Sequence, residues 1–227
     1  MVDFEAITER QQTVWGKGDF HRIGVSQVIV GELLCRAVAV RAEERVLDVA
    51  AGAGNTSLAA ARRGAVVTAS DFVPELLVTA RRRAEAEGLP LGTQIADAQA
   101  LPFANGSFDV VLSTFGVMFA PDQAKAASEL VRVCRPGGRI GLACWTPEGM
   151  VGRQFLTVSK RLPPPPGLLP PSLWGTEERL RELFGSDISS LGVNEEHAEM
   201  CHRSSRDLVD HMRRWFGPYQ MAFEALD

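Results

Sequence analysis

The residues of this 227-residue chain that could do chemistry are a glycine turn and three aspartates. The turn, Gly52-Ala53-Gly54, ends an apolar run that contains Asp48. Glycines in such a turn let the backbone approach a ligand closely, and the helix that follows offers free N–H groups. Asp48 lies inside an apolar strand, where a carboxylate without partners would be costly. These features indicate a ligand site at the end of the first strand.

Two further aspartates end the next two apolar runs. Asp71 follows the second run, at the position where an acidic residue binds ribose hydroxyls in nucleotide-binding α/β folds. Asp97 follows the third run and can accept a hydrogen bond from an adenine amino group. Each aspartate alone is typical of a cap or a turn. Because consecutive strand ends meet at one edge of a parallel sheet, together they favour a nucleoside-bearing cofactor.

Short apolar runs alternate with helical patterns and must position these residues. The runs predict five strands: Arg45–Ala51, Ala65–Ser70, Gly92–Ala96, Phe108–Ser113 and Arg139–Cys144. Helices are predicted between them, over Thr56–Arg63, from Pro74 and from Pro121-Asp122. This alternation is typical of βαβ units. We therefore expect an α/β fold with a doubly wound, mainly parallel sheet and helices on both faces.

We expect a single domain, residues 1–227, in three parts. Residues 1–40 have helical spacing and form an N-terminal helical cap, and residues 41–146 form the cofactor-binding α/β core. Residues 147–227 hold a Pro-rich loop, a further cap and a C-terminal segment. The prolines of residues 162–171 indicate a stiff surface loop, and a polyproline ligand for a partner module is the alternative. Beyond them the patterns predict helices at Glu177–Phe184 and from Arg206 onward, and a strand around Val193–Cys201.

Composition and charge exclude several classes of protein. Apolar residues make up 45% of the chain and charged residues 23%, which is ordinary for a soluble globular protein. The net charge of −4 argues against a nucleic-acid partner that binds a basic surface. The four cysteines are scattered, and the N-terminus has no signal-peptide pattern. The most apolar N-terminal stretch is interrupted by charged residues, so we expect a reduced, cytoplasmic protein with no membrane partner.

The core resembles the class I S-adenosylmethionine-dependent methyltransferases of the type 11 group, which are related to the ubiquinone and menaquinone C-methyltransferases. The motifs that carry the resemblance are VLDVAAGAGNT, SDF, DAQALPFANGSFDVVLS and ELVRVCRPGGRI, within residues 44–146. The resemblance implies a Rossmann-like methyltransferase fold and S-adenosylmethionine as cofactor. The residues that it places at the cofactor are Asp48, Ala50, Gly52, Gly54, Asp71, Phe72, Asp97, Ala98 and Ser113.

Three of these positions carry more specific implications from the resemblance. Asp71 is the ribose-binding acid, Phe72 flanks the adenine, and Ser113 approaches the methionine part of the cofactor. Ala50 stands where the family often has glycine. The expected function is methyl transfer to a small-molecule acceptor that is apolar or aromatic, in a pocket roofed by residues such as Met118, Phe119, Trp145 and Trp174.

The catalytic residues stay unknown, since methyl transfer from a sulfonium mainly needs alignment and exclusion of water. His21 is a candidate general base, with a surface histidine as the alternative. His197, Cys201 and His202 have partial metal-ligand spacing, but no second cluster completes a site, so no metal is predicted. An S-adenosylmethionine-binding regulator without turnover is one alternative function. An NAD-dependent oxidoreductase is the other, although its fingerprint requires glycine or alanine where the chain has Ser57.

The resemblance also predicts an incomplete sheet. The family's sheet has seven strands, but only the candidate around Val193–Cys201 follows the fifth predicted strand. The chain is therefore expected to lack the last strand. An open strand edge is a hazard for association. The hypothesis is that Arg139–Cys144 is covered by the Pro-rich loop or by a second copy of the chain, which would make a homodimer.

Overall fold

The computed structural model describes residues 2–226 and is built on one five-stranded parallel sheet. Its strands are β1 (Arg45–Val49), β2 (Val66–Asp71), β3 (Gly92–Ile95), β4 (Phe108–Thr114) and β5 (Cys134–Ala143). Their order is β3-β2-β1-β4-β5, and every pairing is parallel. The order reverses between β1 and β4, and in open α/β sheets ligands bind at such a point. The predicted fold class is confirmed.

Ten α-helices surround or cap this sheet in the described part of the chain. They are α1 (Phe4–Gly16), α2 (Phe20–Gly24), α3 (Val28–Ala37), α4 (Asn55–Ala61), α5 (Pro74–Ala86), α6 (Gln123–Val133), α7 (Met150–Ser159), α8 (Glu177–Phe184), α9 (Ser205–Trp215) and α10 (Gly217–Leu226). Helix α5 starts at a proline, whose missing N–H costs nothing in a first turn. In α6 the Asp122 side chain accepts a hydrogen bond from the Lys125 N–H at 2.9 Å.

Alternate residues of the central strands supply two cores, one on each face of the sheet. Val46 and Val110 pack with Cys35 of α3 and the alanines of α4. Their neighbours Leu47 and Val111 point the other way and pack with α6 and Trp174. This division follows from the two-residue period of a strand. It holds the carboxyl ends of β1 and β4 rigidly side by side.

The strand predicted around Val193–Cys201 is wrong. Residues 189–202 have no helix or strand, and most are exposed. Three glutamates lie in this stretch, so it has few apolar side chains to pack on a sheet face. The single helix predicted from Arg206 onward is two helices, α9 and α10. The break lies at Phe216, whose backbone is extended, and Pro218 in the first turn of α10 has no N–H with which to continue the hydrogen bonds of α9.

Strand β5 forms an edge of the sheet, beside a groove. Residues 186–192, which follow α8, form the opposite wall of this groove, together with Leu180 and Phe184. The Pro-rich segment lies elsewhere, where the Pro170 carbonyl accepts a hydrogen bond from the Gln123 side chain at 3.2 Å. The expectation that the Pro-rich loop covers this edge is therefore wrong. Residues 2–226 hold five strands, one fewer than the six that a seven-stranded sheet without its last strand would have. The homodimer stays a prediction.

Within residues 2–226, no helix combines the length and the apolarity that crossing a bilayer would need.

Candidate cofactor and acceptor site

A cavity of about 90 Å³ lies at the carboxyl ends of β1, β2 and β4, where the strand order reverses. Seven of the nine residues predicted to bind the cofactor line this cavity: Asp48, Ala50, Gly52, Asp71, Phe72, Asp97 and Ala98. The structure thus brings together side chains that lie as far apart in the sequence as Asp48 and Ala98.

The other two predicted residues, Gly54 and Ser113, lie behind the cavity wall. Gly54 has φ = 82°, and a Cβ there would lie 2.8 Å from the Cβ of Ala80 on α5. The Ser113 hydroxyl donates to the Val49 carbonyl at 2.7 Å and accepts from the Val117 N–H at 3.0 Å. Both residues therefore shape the strand ends. The neighbouring Thr114 lines the cavity instead.

Asp48 is fully buried and only partly satisfied. Its Oδ2 accepts a hydrogen bond from the Ser57 hydroxyl at 2.6 Å. Its Oδ1 is buried and has no hydrogen-bond partner within residues 2–226. Burial raises the pKa of Asp48 to about 7, with a smaller contribution from the nearby Asp71 carboxylate. An unpartnered buried carboxylate oxygen on a cavity wall is suited to a cationic group, such as the ammonium of an amino acid.

Asp71 is also buried, and it holds the glycine turn in place. Its Oδ2 accepts a hydrogen bond from the Gly52 N–H at 2.8 Å, and its Oδ1 accepts one from the Val73 N–H at 2.9 Å. Burial raises the pKa of Asp71 to about 6, against the opposing effect of these backbone donors. Asp71 also lines the cavity, so its carboxylate is placed to accept hydrogen bonds from the hydroxyls of a ribose.

Gln99 organises the third aspartate and was missed by the sequence reasoning. Its Nε2 contacts both Asp97 carboxylate oxygens at 3.1 and 3.0 Å and the Thr8 hydroxyl at 3.0 Å. Its Oε1 accepts from the Asp122 N–H at 2.9 Å. Helix α1 is thereby tied to the strand ends, and Gln12 adds a bond to the Phe72 carbonyl. Only the position of Gln99, two residues after Asp97, hinted at this role.

Two non-glycine residues have left-handed backbone at the ends of adjacent strands. Ala50 follows β1 with φ = 52°, and Phe115 follows β4 with φ = 55°. Ala50 leaves no room for a side chain at Gly116, since a Cβ there would lie 2.4 Å from the Ala50 carbonyl oxygen. L-residues pay about 1–2 kcal/mol for this conformation. The positive φ explains why a glycine is common at the position of Ala50 in the family.

Aromatic side chains form the wall opposite the carboxylates. The Trp15 ring lies 5.7 Å from Phe20 and 4.8 Å from Phe119, both edge to face, and all three line the cavity. Phe115 also lines it and stacks on Trp145 at 3.8 Å. Of the predicted roof residues, Phe119 lines the cavity directly and Trp145 acts through Phe115. Met118 and Trp174 are core residues with 0% and 1% exposure.

The histidine candidates lie away from this wall. His21 is partly buried outside the cavity lining, and burial and then Arg83 lower its pKa. His202 contacts Asp207 at 3.3 Å and the His211 ring at 5.3 Å. In the described residues, no three histidine, cysteine or acidic side chains are placed to hold a metal ion. All four cysteines are free thiols.

The fold and the cavity together fit one class of protein: an α/β protein whose cavity suits a nucleoside-bearing, cationic ligand at the switch point of a parallel sheet. Comparison with known proteins narrows this class. The model of the family described as "Methyltransferase domain" matches residues 47–142. An uncharacterized protein of Mycobacterium tuberculosis is 42% identical over 217 residues, which cover 94% of this chain and 79% of that protein.

A named enzyme and a solved structure add to this result. The demethylmenaquinone methyltransferase of Thermus thermophilus is 41% identical over 128 residues, 55% of this chain and 58% of that enzyme. The crystal structure of the YcgJ protein from Bacillus subtilis has a TM-score of 0.56 and 28% identity, covering 68% of this chain and 65% of that one. The chain belongs to the class I S-adenosylmethionine-dependent methyltransferases, in the type 11 group. It is an enzyme of this family, and its cofactor is S-adenosylmethionine.

Proposed function

We propose that this methyltransferase acts on a small, uncharged acceptor with an aromatic or extended apolar surface. The observation that carries the proposal is the composition of the cavity wall. Trp15, Phe20, Phe115 and Phe119 form its apolar side, and within the described residues no lysine, arginine or histidine lines it. An anionic acceptor would find no counter-charge there, and a cationic one would have to compete with the cofactor for Asp48.

In this proposal each carboxylate binds a different part of the cofactor. The free Oδ1 of Asp48 takes the cofactor's ammonium, Asp71 takes the ribose hydroxyls, and Asp97 with Ala98 takes the adenine edge beside Phe72. Ala50, Gly52 and Gly54 shape the turn that lets the backbone approach the cofactor, and Ser113 supports the adjoining strand end. When bound, S-adenosylmethionine supplies a methyl group on a positively charged sulfur, which is an excellent leaving group.

The chain's own contribution is alignment and exclusion of water. The aromatic rings keep the reacting atoms dry, and the Thr56 and Thr114 hydroxyls, bonded to each other at 2.7 Å, are neutral groups on the same wall. No histidine or lysine of the described wall is available as a general base. The reacting atom of the acceptor must therefore be nucleophilic without help from a histidine or lysine of this wall.

Calorimetry and a product assay test the proposal. S-adenosylhomocysteine should bind with saturable heat, and turnover should be found among phenols and hydroquinones that are uncharged at the pH of the assay. Matched amines and carboxylates of equal size are the controls. Turnover confined to carboxylates would contradict the proposed acceptor class, and heat with NADH but none with S-adenosylhomocysteine would contradict the cofactor site.

A further inference from the structure

The C-terminal helices pack mainly on the N-terminal ones. Helix α10 lies against α1, and α9 lies against α2. The segment that leads to them, residues 189–202, is irregular and largely exposed. The helix pair therefore adds little to the core of the sheet. Its main structural effect is on the position of α1 and α2.

The segment after α1 and the segment between α9 and α10 contact each other through their backbones. Gly18 forms an isolated antiparallel bridge with Phe216, and the Asp19 N–H donates to the Trp215 carbonyl at 2.9 Å. A Cβ at Gly18 would lie 2.3 Å from that carbonyl oxygen, and one at Gly217 would lie 2.0 Å from the Val14 carbonyl oxygen. Such close approach is possible only because both positions are glycines.

Side chains reinforce this junction on its outer side. Lys17 and Glu224 form an ion pair at 2.8 Å, and the Arg22 guanidinium lies 4.4 Å from the centre of the Trp215 ring. The His211 ring contacts the Arg22 carbonyl at 3.3 Å. These exposed contacts are individually weak. Together they hold Phe216, the residue between α9 and α10, in place.

Phe216 lies behind the aromatic wall of the cavity. Its ring is partly buried, 5.5 Å from Trp15 and 6.2 Å from Phe20. Both of these neighbours line the cavity, and the Phe20 ring also lies within 3.4 Å of the position of a Cβ at Gly52. Aromatic rings in such a cluster fix each other's orientation. Phe216 therefore sets how far Trp15 and Phe20 can move back from the cavity.

We propose that Phe216 is a specificity-determining residue of the methyl-transfer site, and that α9 and α10 serve to hold it against Trp15 and Phe20. It limits the size of the planar acceptor that fits beside the cofactor. The inference rests on the proposed function, because it takes the aromatic wall as the acceptor side of the cavity. It goes beyond that function in giving the C-terminal helix pair a role in selecting the acceptor.

The test uses Phe216→Ala and the milder Phe216→Leu in the whole chain, with Phe223→Ala as control. Phe223 is on the same helix pair, and the two partners of its ring, Tyr219 and Arg213, are not among the residues that line the cavity. Calorimetry measures the affinity for S-adenosylhomocysteine. It then measures, on the loaded protein, the affinities for three uncharged rings of increasing size: phenol, 2-naphthol and 9-phenanthrol.

Removing the Phe216 ring should shift the selectivity toward larger rings and leave the affinity for S-adenosylhomocysteine almost unchanged. We expect the preference for 9-phenanthrol over 2-naphthol to rise about tenfold or more in Phe216→Ala, in line with what pocket size achieves elsewhere, and less in Phe216→Leu. Affinity for S-adenosylhomocysteine should stay within about twofold of the parent value, and Phe223→Ala should match the parent throughout.

The possible failures are distinguishable. If the parent binds S-adenosylhomocysteine and the rings, but both Phe216 variants keep its selectivity, the inference is wrong and the proposed function stands. If the parent binds S-adenosylhomocysteine but none of the three rings, the acceptor class is wrong and the inference falls with it. Since the leucine variant retains most of the buried surface, it provides the comparison if the alanine variant does not fold.

Discussion

Asp71 offers a sharp test of the site, because its role in holding the glycine turn and its proposed role at the ribose can be measured separately. Replacing it by alanine leaves the N–H groups of Gly52 and Val73 buried without an acceptor. Replacing it by asparagine keeps one carbonyl oxygen and so satisfies one of the two donors. Both variants remove the buried negative charge, so that contribution cancels between them. For the backbone donors the difference is one buried, unsatisfied N–H, which costs about 1–3 kcal/mol, and the asparagine NH2 faces the cavity, where water supplies its acceptor.

We therefore expect Asp71→Ala to be less stable than Asp71→Asn by about 1–3 kcal/mol in urea unfolding at pH 7. We also expect Asp71→Asn, although folded, to bind S-adenosylhomocysteine roughly 10- to 100-fold more weakly than the parent, because a hydrogen bond to a charged group contributes about 1.5–3 kcal/mol. Equal stability of the two variants would refute the role of Asp71 in holding the turn. Parent-like affinity in the asparagine variant would refute its role at the ribose.

Two further predictions use the same assays. Burial raises the pKa values of Asp48 to about 7 and Asp71 to about 6, so the native protein keeps protons there that the unfolded chain releases near pH 4. The free energy of unfolding without cofactor should therefore fall as pH rises from 4 to 7. Affinity for S-adenosylhomocysteine should rise through pH 7, and Asp48→Asn should remove most of that rise. A stability that increases over this range would contradict the assignment. Gly54→Ala should be less stable than Gly88→Ala by about 1–3 kcal/mol, since both glycines have positive φ but only Gly54 meets Ala80, and equal unfolding midpoints would count against that contact.

The sequence alone determined the core of the fold and pointed to the candidate site. The apolar runs around Asp48, Asp71 and Asp97 alternate with helical patterns, and this local periodicity is enough to fix parallel strands and the edge at which their carboxyl ends meet. Helix α8 and the start of α5 coincide with their predicted positions, because their caps and apolar spacing are local. The family followed from the motifs within the same segment.

The tertiary structure decided what depends on contacts between distant residues. Asp71 stands at a strand end, which suggests exposure, but it is 4% exposed because the glycine turn folds over it. Gln99, Thr8 and Thr114 enter the site through hydrogen bonds to other elements, and no spacing in the sequence marks them. The meeting of Gly18 with Phe216 joins positions almost 200 residues apart. Such pairings depend on how whole helices pack, and the local pattern of a sequence does not specify that packing.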